Sequence, residues 1–182
     1  MAIKTFTTGE VLTASDTNTY LANSGLVYVK QQTIGNAVTS VLVSDAFSAT
    51  YDNYKIIISG GTSTTQDRMW MRMGANTTAY YGMYIYGAVS LASVFGANTN
   101  NGTDATYIGG CDINCLHLNV ELTNPFLAKT TGMHGCMGIW SNNRGTATYD
   151  HEVASSFTSF TIGAGSGTMT GGTIYVYGYR KA

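Results

Sequence analysis

Charged side chains are scarce in this chain of 182 residues: they make up 10%, where ordinary soluble domains carry about a quarter. Nine basic residues stand against ten acidic ones, so no positive field is available to grip a phosphate backbone. Nucleic-acid binding and a polybasic membrane anchor are both disfavoured on that ground. The opening residues lack the apolar run of about 7–15 that a signal peptide needs, and no window approaches the roughly 18 apolar residues of a membrane-spanning helix. The expectation is a product made in the cytoplasm with no membrane insertion. Cysteine is sparse and odd in number, at Cys111, Cys115 and Cys136, which reads as free thiols. Proline occurs once, in Asn124-Pro125-Phe126, where it starts a turn and takes Asn124 out of helical geometry.

Thr, Ser, Asn and Gly supply most of what meets water, and 44% of the residues are hydrophobic, enough for one domain with a real core. A net charge of −1 provides almost no repulsion between copies, which favours association. One stretch reads as helix: Thr13 caps it, Asp16 sits three positions on, and Leu12, Tyr20 and Leu21 form an apolar side before Gly25 stops it. After Gly25 the chain alternates β-branched and aromatic residues with Thr, Ser and Asn between glycine-bearing turns. This predicts strands near 26–33, 40–43, 54–59, 68–73, 80–86, 116–122, 138–140, 148–154, 159–162 and 173–178. Short strands in that number predict an all-β fold, an antiparallel β-sandwich of jelly-roll type with a short N-terminal helical segment. Residues 1–35 are read as a docking arm and 36–182 as the sandwich domain. The intervening segments Gly96 to Gly110 and Gly163 to Gly172 read as loops, the second as a mobile hairpin with no phosphate-binding ending.

Candidate chemistry is thin. Cys111, Cys115, His117, His134 and Cys136 lack the two-residue knuckle spacing of a zinc site, and strand packing explains them better. No nucleophile elbow is present, Ser166 lies among glycines with no helix after it, and Asp150 and Glu152 share a strand face without further support as a glycosidase pair. The expectation is a non-enzyme with no catalytic residue, no metal and no cofactor. Tyrosine is abundant, with 13 copies, and alternation puts Tyr80, Tyr84 and Tyr86 on one face. Such residues mostly pack between sheets or at subunit contacts, and if exposed they form a glycan contact. Met69, Trp70, Met71 and Met73, beside Arg68 and Arg72, read the same way.

The opening, Phe6-Thr7-Thr8-Gly9-Glu10-Val11-Leu12-Thr13-Ala14 continuing to Asn18-Thr19-Tyr20-Leu21, resembles the start of many tailed-bacteriophage virion proteins. The body is similar to a phage structural family through Phe47 to Ile56, Tyr80-Tyr81-Gly82, Asn124-Pro125-Phe126-Leu127-Ala128-Lys129 and Gly171 to Arg180. That resemblance implies an exterior β-sandwich, commonly a homotrimer, in contact with other virion proteins of the capsid or tail. It implies docking by an N-terminal segment, here Val11, Leu12, Tyr20 and Leu21, and localisation on the virion after assembly in the host cytoplasm. A short fibre and a capsid decoration protein both fit, and a host-surface glycan is the alternative partner.

Overall fold

A computed structural model of the chain describes residues 6–16, 25–140 and 142–181. One three-residue helix, α1 (Ala14–Asp16), precedes β1 (Leu26–Thr33), β2 (Ser40–Val43), β3 (Tyr51–Ser59), β4 (Thr62–Ser63), β5 (Asp67–Met73), β6 (Tyr80–Ala88) and β7 (Val94–Gly102). There follow β8 (Ala105–Cys111), β9 (Leu116–Thr123), β10 (Thr131–Trp140), β11 (Asn143–His151), β12 (Phe160–Ala164), β13 (Met169–Thr170) and β14 (Thr173–Arg180). The larger sheet runs β1-β14-β3-β9-β10-β11-β6-β7 and the smaller runs β2-β12-β5-β8-β9, while β4 and β13 form a separate short pair. Every described ladder is antiparallel. The result is the all-β sandwich that the alternation predicts.

The two sheets share β9. Its first residues, Leu116 to Leu118, pair with β8, and Asn119 to Thr123 pair with β3. Between the layers, Tyr54 and Ile56 of β3, Ile174 and Val176 of β14, and Val120 and Leu122 of β9 face Met69, Met71 and Met73 of β5 and Phe160 and Ile162 of β12. Each side chain of this kind contributes about 1.5–3 kcal/mol when fully buried. The alternation in β5 is strict, so Arg68, Trp70 and Arg72 point away from the core. Trp70 donates from Nε1 to the Ala164 carbonyl at 2.9 Å, and the Arg72 guanidinium lies 4.4 Å from its ring centre. Its neighbour Gly163 leaves the space for the ring, since a Cβ there would stand 2.2 Å from the Trp70 Cζ2.

Local chemistry also fixes the connections. Tyr54 is buried and its hydroxyl accepts the Ser48 N–H at 2.8 Å while donating to the Ser48 carbonyl at 3.0 Å, which holds the chain entering β3. Asn124 adopts φ +60°, and the Leu127 N–H closes a turn onto its carbonyl at 3.1 Å, as the proline signal required. Thr13 and Asp16 form a reciprocal cap: the Thr13 N–H donates to Asp16 Oδ2 and the Asp16 N–H to Thr13 Oγ1, both at 3.1 Å.

Three expectations change. Gly96 to Gly110 is not a loop but carries β7 and β8. Gly163 to Gly172 is clasped, with Thr168 N–H donating to Thr64 Oγ1 at 2.9 Å and Thr65 Oγ1 to the Ser166 carbonyl at 2.8 Å. β10 starts at Thr131 rather than near Gly138. The strand predicted at 26–33 is present with those bounds as β1, which pairs with β14 from Leu26↔Tyr179 to Thr33↔Thr173.

Candidate functional site

The feature that departs most from an ordinary sandwich is the β6–β7 hairpin, which forms one edge of the larger sheet. β7 is the outermost strand of the larger sheet, and residues 94–98 are exposed on both faces. Val94 is 76% exposed, Met83 56% and Ile85 47%, and Val89 and Leu91 at the turn are exposed as well. A monomer surface seldom gathers large apolar residues in this way.

On the inner face of the hairpin four aromatic rings stand in a row. Tyr107 lies 4.2 Å from Tyr84, Tyr84 lies 6.1 Å from Tyr86, and Tyr86 lies 5.6 Å from Phe95. The first ring is set there by a bulge in β8, where the register against β5 shifts and Tyr107 takes φ +56°. A bulky residue in the left-handed region is strained, and bulges of this kind re-aim a side chain. The Arg68 guanidinium sits 5.4 Å from the Tyr107 ring centre, held by a 2.7 Å bond from Nε to Thr106 Oγ1. Burial, then the Tyr107 ring, push the Tyr84 phenol above its ordinary value, so it stays a neutral hydroxyl.

Of the three tyrosines expected together, Tyr80 is a core residue. It is fully buried, with its hydroxyl accepting the Met73 N–H at 2.7 Å, and burial pushes its phenol up to about 12. The alternation is right, but the smaller sheet covers this end of β6 and leaves Tyr84 and Tyr86 half-buried. Tyr80 is therefore no glycan contact. Phe95 and Tyr107, which complete the row, lay within the segment read as loop or beside it.

The outer face of the same sheet is broad and carries both polar and apolar side chains. Met83, Thr148, His134, Glu121, Lys55, Tyr177 and Tyr28 stand in register across seven strands. One ion pair crosses that row, Lys55 to Glu121 at 2.7 Å, and Tyr179 donates its hydroxyl to the same carboxylate. That bond, helped by burial, pushes the Tyr179 phenol up to about 12. A groove of about 550 Å³ opens beside it, lined by Tyr81, Met83, Ile85, Thr146, Thr148 and Asp150.

Among the described residues no group of three His, Cys, Asp or Glu side chains is placed to hold a metal. Cys111 of β8 is buried with its thiol against the Asp67 carbonyl at 3.4 Å and burial raises it, whereas Cys136 of β10 is exposed. β11 ends at His151, so Glu152 does not share a strand face with Asp150. Of the expected docking residues, Val11 is 78% exposed and Leu12 is exposed, while Tyr20 and Leu21 lie outside the described residues.

The chain matches no protein-family model, no curated protein and no solved structure. The reading of its function therefore rests on the apolar hairpin, the aromatic row and the opening motif.

Proposed function

We propose that the chain is a non-enzymatic structural component of the exterior of a tailed-phage particle, present in several copies and docked through the segment carrying Val11 and Leu12. The observation that carries this reading is the apolar hairpin: Met83, Ile85, Val89, Leu91 and Val94 are all exposed on one projecting element. Surface of this kind is built to be covered by protein. The weak charge of the chain and the opening motif support the same reading. Association then proceeds by burial of apolar and hydroxyl-bearing surface, with no cofactor. The test is mass spectrometry of purified particles with antibody labelling of intact ones: the chain is expected in stoichiometric amounts and accessible from outside, and its absence sinks the reading.

A host-surface glycan is the second reading, favoured by the row of Tyr107, Tyr84, Tyr86 and Phe95 with Arg68 beside it. Aromatic rings and neutral phenols offer sugar rings an apolar platform with hydroxyl partners. A glycan array probed with the assembled protein is expected to show a signal that Tyr84→Ala removes. A silent array removes this reading and leaves the structural one in place.

A further inference from the structure

Among the described residues three strands close the sheets: β1 and β7 in the larger and β2 in the smaller. A free edge presents unpaired backbone N–H and C=O groups, and stable monomers blunt such edges with charge, proline, bulges or brevity. β2 has four residues. β1 carries Lys30 beside a bulge, and the Lys30 ammonium donates across to the Ser44 carbonyl just past β2. β7 has none of these devices from Val94 to Thr99, where it pairs regularly with β6, and its bulge comes only after Thr99. Not one Asp, Glu, Lys or Arg occurs between Arg72 and Asp104, and β7 contains no proline.

We propose that the free edge of β7 pairs antiparallel with β7 of a second copy of this chain, across a twofold axis. Charge selects the occupant. A charged partner finds no complement along this edge, whereas two uncharged edges meet without repulsion. Twofold symmetry with the axis normal to the sheet requires a residue to face its own copy. Centring on Ala97 places Phe95 opposite Thr99, an aromatic against a β-branched residue on the same face. The pairing joins the two larger sheets into one and brings the exposed Val94 and Phe95 of each hairpin against the other copy. It gives an even number of copies: two, or six where another face supplies a threefold contact. The inference deepens the proposed function and rests on that reading only for the presence of several copies.

The test is the native mass of the full chain by sedimentation equilibrium, with Ala97→Lys and, in a Cys136→Ser background, Ala97→Cys. Ala97 is exposed, so an unchanged thermal midpoint will show that the fold is kept. The expected wild-type mass is about 39 kDa or a threefold multiple of it, from a 19.4 kDa chain. Ala97→Lys is expected to weaken association about tenfold or more, because like charges then face each other across the axis. Ala97→Cys is expected to form a disulfide-linked pair on mild oxidation. A wild-type monomer or trimer in solution, a mass unmoved by Ala97→Lys, or an assembled sample that forms no cross-link overturns the pairing. The chain's presence on particles tests the proposed function separately, so the two failures are distinguishable.

Discussion

Acid should loosen this fold through one side chain, His151. It ends β11 fully buried, its ring stacked 4.4 Å from Tyr80 and tilted 5.2 Å from Phe157, and neither ring nitrogen reaches hydrogen-bond geometry with a described residue. Burial disfavours the imidazolium and lowers the group below its ordinary 6.5; the Thr78 backbone close by opposes this only in part. A depressed histidine contributes stability that is fully present above the unfolded value and is lost as pH falls toward the folded one. The unfolded chain takes up the proton first, at a cost of up to about 1.4 kcal/mol per pH unit. The loss attributable to His151 therefore begins near the ordinary histidine value and deepens as pH falls toward the lowered one in the folded state. Urea denaturation of the wild type and of His151→Phe, whose ring suits the same aromatic pocket, gives this as a difference curve. Titration of Asp and Glu cancels in the difference, which should be flat above about pH 7 and open below about pH 6.5. A difference that stays flat down to about pH 5 would refute the reasoning, because the imidazole would then be finding water or a partner in the folded state.

Three more outcomes follow from packing and exposure. Gly163→Ala drives a Cβ into the Trp70 ring and should cost about 1–3 kcal/mol, with a changed tryptophan emission spectrum; an unchanged midpoint and spectrum would show that the ring moves freely. Tyr54→Phe removes both hydrogen bonds to Ser48 and should cost about 1–3 kcal/mol in urea denaturation, with a negligible change meaning that water replaces the hydroxyl. The double change Val11→Ser and Leu12→Ser should leave thermal stability untouched and deplete the chain from particles, since both side chains are exposed; normal incorporation removes them from docking.

The sandwich was legible because most of its strands have one covered face. In β5 the three methionines alternate with Arg68, Trp70 and Arg72, and in β14 Ile174 and Val176 alternate with tyrosines, so period two is plain. β7 escaped notice for the opposite reason: with both faces open, nothing selects apolar residues at every second position, and Asn and Thr fill it. β10 was recognised only near its end because Gly132, Gly135 and Gly138 interrupt the pattern. Gly135 is there for packing, since a Cβ would stand 2.5 Å from the Ile108 carbonyl oxygen. The site was half legible. Alternation grouped Tyr80 with Tyr84 and Tyr86, but which of them is exposed depends on where the opposing sheet stops, and no local pattern records that.

The place of β14 carries a consequence for biosynthesis. It lies between β1 and β3 and is the only neighbour of β1 among the described residues, yet some 140 residues separate Thr33 from Thr173, which pair. At roughly 5–20 residues per second a ribosome needs many seconds to supply it. During that interval β1 has no ladder to join, and the Ile56 and Ile58 side of β3 lacks the strand that pairs along it. A product cut short before β14 leaves β1 without a ladder and turns β3 from an interior strand into an edge, which makes it a target for proteolysis. Closure of the larger sheet around β1 and β3 thus waits for the last strand of the chain to be made.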